Sequence, residues 1–400
     1  MTELQRTSSL VLVTSSGTLL GCLPALPIAK PWWQEVEPVV EAFRVRHGIT
    51  VTILRLLEAE RDEPHGGHVT YLAEVRVPVA AEPWAGVLED HSLRLSYAKP
   101  GGPRADLDWA ETALIARGLR LAGAPVQVRT WNLSSLWRIP VVGGGRAWLK
   151  VTPPFLAPEG ALLERLQGAT VPRLLGRDHS RILLAEIPGE DLYDAEAPVL
   201  RAMIARLVEI QRDWIGHGDD LLGLGLPDWR APALDAAIAA AFERTADALS
   251  DVERGGLARF VRDLPARFAH LAACGLPDTL IHGDFHPGNF RGDSAGLVLL
   301  DWADSGVGHP LLDQSAFLSQ VAPEEVAELQ THWSGAWRAH IPGCDPERAA
   351  QLIAPIVAAR RAAVYLRFLD AIEPSEHAYH RSDPVDWMQR TAAILCGEDE

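Results

Sequence analysis

Cysteine is scarce in this chain, and no Cys-x-x-Cys pair occurs. Cys22, Cys274, Cys344 and Cys396 stand far apart, which argues against a zinc site or a disulfide framework. Reduced thiols and a cytoplasmic setting are the expectation. Basic charge is also short: 37 Lys and Arg face 53 Asp and Glu, a formal net charge of −16. Phosphate backbones select basic surfaces, so no nucleic-acid partner is expected. No apolar run approaches the length of a membrane span. The stretch over residues 10–13 is far too short, and no basic region precedes a long apolar core. Neither a membrane partner nor a targeting segment is expected. A Gly-rich G-x-G-x-x-G loop is missing, as are internal repeats and long low-complexity segments. Apolar residues, by contrast, are ample at 48%, and 13 Trp supply core and pocket walls. Four hundred residues imply two or three packing units.

The most informative stretch is Ile281-His282-Gly283-Asp284-Phe285-His286-Pro287-Gly288-Asn289-Phe290. An apolar run enters His-Gly-Asp, and an Asn follows that Asp by five. A second apolar run, Leu297-Val298-Leu299-Leu300, ends on Asp301. This is the layout of a kinase catalytic loop followed by a metal-binding strand end. Phosphoryl transfer needs one carboxylate to orient the attacking hydroxyl, which points to Asp284. It also needs oxygen ligands for magnesium on the nucleotide phosphates, which points to Asn289 and Asp301. A lone His-Gly-Asp is common in turns. The Asp-to-Asn offset, the Pro287-Gly288 turn and the run ending at Asp301 together are not.

The segment from His282 to Asp301 resembles the aminoglycoside phosphotransferase family, which shares the protein-kinase-like fold. Gly308-His309-Pro310-Leu311-Leu312-Asp313 is similar to that family's Gly-x-Pro-x-x-Asp segment. The resemblance covers about residues 126–400. It implies an α+β, bilobal fold, with a small β-rich lobe over residues 126–188 and a larger helical lobe over 189–400. It implies ATP as phosphoryl donor, Mg2+ as cofactor and a small-molecule hydroxyl as acceptor. An aminoglycoside or similar antibiotic comes first. Amino sugars, sugars, choline-like alcohols and a non-catalytic nucleotide-binding scaffold are the alternatives. The Lys matching Lys150 contacts the α- and β-phosphates in that family, held by an acidic residue of the next helix. Glu159 and Glu164 are the candidates, and Glu159 matches the position better. Ser134 and Ser135, with Asn132, stand where a turn meets the phosphates. Leu184-Ala185-Glu186-Ile187 falls at the adenine-binding hinge, where the backbone of Glu186 and Ile187 reads the purine. His282 and His286 are expected to brace the loop, and Asp313 to hydrogen-bond it or cap a helix.

Residues 1 to about 125 read as a separate α/β unit. Strands are expected over 8–14, 49–57, 68–79 and 91–97, and helices over 32–47 and 108–121. Pro38 kinks the first helix or marks its true start, and Gly48 ends it. The order resembles a Nudix fold, but Val45 and Arg46 stand where its catalytic glutamates fall. The resemblance implies a unit without hydrolase activity, in a packing, dimerising or substrate-capping role. Of these roles, the dimerising one would make the chain a homodimer through this unit. His65 and His68 lack a clear third ligand and read as surface residues. Beyond residue 189, helices are expected over 197–215, 232–249, 251–271, 323–339 and 348–372.

Overall fold

In the computed structural model the chain forms two compact units. The structure describes residues 5–77, 79–168, 170–293 and 296–398. One unit holds the chain up to Gly160 together with Leu174–Glu186 and Phe368–Arg381. The other holds Ala161–Arg173, Ile187–Arg367 and the chain from Ser382. A β-rich region is followed by a helical one, the α+β class that the resemblance implies.

The first unit opens with a hairpin, β1 (Arg6–Thr14) and β2 (Leu19–Ile28), turned at Gly17. Helix α1 (Glu37–His47) crosses to β3 (Val51–Ala59) and β4 (Gly67–Val75). The sheet order is β2-β1-β4-β3, with β1 and β4 parallel at its centre. Central parallel strands are covered on both faces, which explains the unbroken apolar run of β1. Leu10 and Leu12 join Trp33, Val39, Phe43 and Tyr71 in one core. Val11 and Val13 pack with Leu54 and Leu72 on the other face.

Four local readings change. Helix α1 begins at Glu37, because Pro38 suits its first turn. Trp33 is instead buried, its indole N–H donating to the Gly66 carbonyl at 2.9 Å. Strand β2 carries Pro24 and Pro27, which hid it, yet it is an edge strand, where Pro is tolerated. Residues 91–97 form no strand. Arg94 turns to a bidentate pair with Glu373, and a 3-10 turn, Ser96–Ala98, follows.

Helix α2 (Gly102–Ala116) packs Ala110 and Leu114 against a five-stranded antiparallel sheet. Its strands are β5 (Val126–Trp131), β6 (Ser134–Pro140) and β7 (Arg146–Val151), then, after helix α3 (Pro158–Leu166), β8 (Leu174–Asp178) and β9 (Arg181–Ala185). The order is β5-β6-β7-β9-β8. Gly143 and Gly144, both at positive φ, turn β6 into β7.

The second unit is mainly helical. Short strand β10 (Glu190–Asp191) leads to α4 (Ala197–Asp213), α5 (Gly218–Gly223), β11 (Asp228–Trp229) and α6 (Ala231–Thr245). Helix α7 (Asp251–Ala273) opens on a capping box of Ser250 and Glu253. Strands β12 (Thr279–Ile281), β13 (Phe290–Asp293), β14 (Gly296–Leu299) and β15 (Gly306–Gly308) frame the loop of interest. Helices α8 (Gln314–Leu318), α9 (Val326–His340), α10 (Pro346–Ala371) and α11 (Asp383–Glu398) complete it. Among the described residues no helix is long and apolar enough to cross a membrane. The cysteines are free thiols.

The segment Phe368–Arg381 belongs to the first unit, and it brings two buried carboxylates with it. Glu373 is held by Arg94 at 2.8 Å and lies 3.8 Å from Arg55. Glu376 accepts a hydrogen bond from the Leu56 N–H at 3.2 Å. Burial, with Glu373 adding to it, pushes the Glu376 carboxyl from its ordinary 4.5 to about 8. The folded state therefore holds this proton more tightly than the unfolded chain. That stabilisation is complete below pH 4.5 and is lost as pH rises through 8. Glu376→Gln should accordingly flatten the fall in thermal midpoint between those pH values. Equal pH slopes in wild type and variant would remove Glu376 as the cause.

Candidate active site

The loop after β12 is built on a buried carboxylate. Asp313 accepts the His282 N–H at 2.8 Å, the Gly283 N–H at 2.7 Å and the Gln211 side-chain amide at 3.0 Å. Burial pushes the Asp313 pKa up, against the pull of His282 and the two backbone N–H groups. Gly283 takes φ 86°, and a Cβ there would lie 2.0 Å from the Asp304 carbonyl oxygen, so no larger residue fits. His282 is buried, with Nε2 donating to the Leu300 carbonyl at 2.8 Å and its ring 4.8 Å from that of Trp302. Burial lowers its pKa, so it braces the loop as a neutral imidazole.

Past this brace the chain presents Asp284, then a 3-10 turn over Pro287–Asn289. The Asn289 amide nitrogen donates to the Asp284 carbonyl at 2.8 Å and lies 3.4 Å from its Oδ2. This fixes which way the amide oxygen points. The Asn289 carbonyl in turn accepts the Leu300 N–H at 2.7 Å, which ties the loop to the residue before Asp301. Asp301 is exposed and sits in the left-handed region, at φ 56° and ψ 65°. Asp tolerates that region better than most residues, and such strained positions gather at functional sites. An amide oxygen and a carboxylate are the hard donors that magnesium takes.

Asp284 is 39% exposed in its side chain and faces an imidazole and a guanidinium. His286 Nε2 lies 3.5 Å from Oδ2, and Arg361 Nη2 of α10 lies 3.6 Å from Oδ1. Burial would raise this carboxyl, but the His286 contact and the Arg361 charge outweigh it and hold it well below the usual carboxylate range. Arg361 also lies over the Trp387 ring of α11, 5.1 Å from its centroid. Its neighbour Arg360 is buried over Trp229 at 4.8 Å, and burial brings its pKa down to about 10 despite Asp313.

In the other unit, Lys150 stands on β7 with Nζ 3.0 Å and 2.8 Å from the two carboxylate oxygens of Glu159. The side chains are 12% and 4% exposed, so the pair is sheltered. Glu159 lies in the first turn of α3, whereas Glu164 is exposed. Ser134 and Ser135 belong to β6 rather than to a loop, and the turn before them shrinks to Asn132-Leu133. Ser135 is buried and accepts from the Trp137 indole at 3.1 Å, while Ser134 accepts from Trp131 at 3.0 Å. Asn132 is buried too and donates to the Glu376 carbonyl at 3.1 Å. The Glu186 carboxylate accepts from the Trp148 indole at 2.8 Å, and its N–H donates to the Arg146 carbonyl.

In the second unit the Ile187 carbonyl accepts from Arg291 Nε at 2.9 Å. Arg291 also reaches the Gly189 carbonyl and the Asp191 carboxylate, each at 2.7 Å. Neither the role of Arg291 nor that of Arg361 is visible in the spacing of the loop. The one sequence signal for Arg361 is a charged pair, Arg360-Arg361, set in an alanine-rich helix.

Sheltered Lys–Glu pair, braced loop and strained Asp are the parts of a phosphoryl-transfer enzyme. The sequence profile of the phosphotransferase enzyme family matches residues 136–348. The chain belongs to that family and is a small-molecule phosphotransferase. Among solved structures it is similar to a macrolide 2'-phosphotransferase from Brachybacterium faecium, with 16% identity and a TM-score of 0.46 over 69% of this chain and 98% of that one. It is also similar to a choline/ethanolamine kinase family protein from Mesorhizobium loti, with 17% identity and a TM-score of 0.44 over 72% and 98%. A spectinomycin phosphotransferase in complex with ADP and spectinomycin shows 12% identity and a TM-score of 0.39 over 70% and 93%. No curated protein sequence matches.

Asp313→Ala would strand the His282 and Gly283 N–H groups and leave the Gln211 amide only the Pro310 carbonyl, each lost partner costing about 1–3 kcal/mol. Denaturant unfolding should register a loss of about 3 kcal/mol or more. A midpoint equal to that of the wild type would show that the clamp does not support the loop.

Proposed function

We propose that the protein is an ATP- and magnesium-dependent O-phosphotransferase acting on a hydroxyl of a small molecule. The observation that carries this reading is the Asp284 carboxylate, held ionised and tied through Asn289 to the strand end at Asp301. In the transfer, a bond forms between the acceptor oxygen and the γ-phosphorus. The bond to the β,γ-bridging oxygen breaks, and its electron pair leaves with ADP. Asp284 orients the acceptor hydroxyl and takes its proton late. Its depressed pKa makes it a weak base, which suits positioning more than early deprotonation.

Asn289 and Asp301 would hold magnesium, which supplies charge neutralisation at the transferring phosphoryl group. Lys150, kept in place by Glu159, contacts the α- and β-phosphates. The backbone about Glu186 and Ile187 meets the purine, with Arg291 fixing the Ile187 carbonyl. Ser134 and Ser135 would meet the phosphates through their hydroxyls, which accept from indole N–H groups and keep their own O–H protons to donate. An aminoglycoside or similar antibiotic heads the acceptor classes that the family resemblance offers. Sugars and choline-like alcohols follow.

Asp284→Ala should lower kcat by at least about a hundredfold, the scale of a positioned general base, while ATP binding survives. An active Asp284→Ala enzyme would remove Asp284 from the chemistry.

A further inference from the structure

The Asp284 carboxylate has a guanidinium as its direct neighbour. Arg361 lies 3.6 Å from the Asp284 carboxylate and is 19% exposed. Its guanidinium lies 5.1 Å from the centroid of the Trp387 ring, and that of Arg390 lies 5.2 Å from it. Arg361 thus links this indole to the carboxylate that meets the acceptor. Other cations are close. Arg360 acts on Asp284, Asp304 and Asp313, and Arg367 acts on Asp304. Tyr365, one turn beyond Arg361 on α10, is half-buried and within electrostatic reach of Asp383, Arg361, Asp284 and Asp304. Two of the carboxylates here are engaged: Asp313 holds the loop, and Asp284 faces His286 and Arg361. An ammonium group docked beside Asp284 would meet Arg361 at close range, with a large desolvation cost.

We propose that Arg361, with Trp387 and Arg390, is the specificity element of the acceptor site, and that it selects a hydroxylated acceptor carrying a carboxylate or phosphate. This deepens the phosphotransferase reading above, departs from the order of acceptors that the family resemblance offers, and rests on Asp284 as the residue that meets the acceptor hydroxyl. Before the acceptor arrives, Arg361 and Asp284 neutralise one another. When a hydroxyl occupies Asp284, the anion of the acceptor takes over the planar guanidinium, which suits two-point pairing with such groups. Trp387 supplies an apolar wall for the carbon skeleton. An aminoglycoside, with its several ammonium groups, is disfavoured at the same place.

The test is equilibrium binding to the full chain by calorimetry, with a series built on one skeleton: gluconate, glucose 6-phosphate, glucose and glucosamine. At least one anion should bind about tenfold tighter than glucose, with glucosamine weakest, a difference that charge-assisted pairing can supply. Whichever anion wins separates a carboxylate acceptor from a phosphate one. Arg361→Gln should cost the bound anion about tenfold and leave glucose within about twofold. Arg361→Lys, which keeps the charge but loses the fork, should fall between them. Thermal melts of both variants report folding. Glucosamine binding as well as the anions, no anion binding at millimolar concentration, or an unchanged anion Kd in a folded Arg361→Gln would each overturn the proposal. Binding needs no turnover. Should Asp284→Ala remain active while the anion ranking holds, the catalytic role fails and the anion site stands.

Discussion

The Asp313 carboxylate is the constraint on which the candidate site depends. A buried carboxylate is costly unless its lone pairs are filled, and Asp313 fills them with two consecutive backbone N–H groups and an amide. Those N–H groups belong to His282 and Gly283, so the clamp sets the backbone immediately before Asp284. The positive φ of Gly283 and its close approach to Asp304 follow from the same bend. His282 then closes the far side through Leu300, next to Asp301. One buried anion thus sets the backbone that leads into Asp284, and His282 carries the tie on to Leu300, the neighbour of Asp301.

A second layer is electrostatic. Arg360 and Arg361 are adjacent on α10 and therefore point to different sides of it. Arg360 is buried against Trp229 and acts on Asp313, the clamp. Arg361 reaches Asp284, the carboxylate that the clamp presents. Both guanidiniums lie over indole rings, which lowers the cost of keeping them from water. Helix α10 thereby tunes the positioning carboxylate and the carboxylate that positions it.

The loop was legible because its parts are local. Apolar run, Gly, Asp, Asn and second apolar run all fall within two dozen residues, and each needs its residue type for a stated reason. Helix α1 and its Gly48 stop were legible for the same cause, apart from the start that Pro38 shifted. What escaped was long-range. Residues 91–97 alternate like a strand, yet Arg94 is drawn to Glu373, 279 positions away. Strand β2 is disguised by prolines that only an edge position excuses. Asn132 and Ser135 look like turn residues, but the Asn132 amide nitrogen donates to the Glu376 carbonyl and the Ser135 hydroxyl accepts from the Trp137 indole. The ion pair of Arg361 with Asp284 cannot be inferred from spacing, since nothing local relates the two.

The most direct single measurement is ADP release from ATP, with and without magnesium, across aminoglycosides, other hydroxylated antibiotics, amino sugars, choline and hydroxylated anions. The site geometry predicts release that requires both magnesium and an acceptor. ATP bound to the protein with no release for any acceptor would contradict a phosphotransferase role for the Asp284 loop.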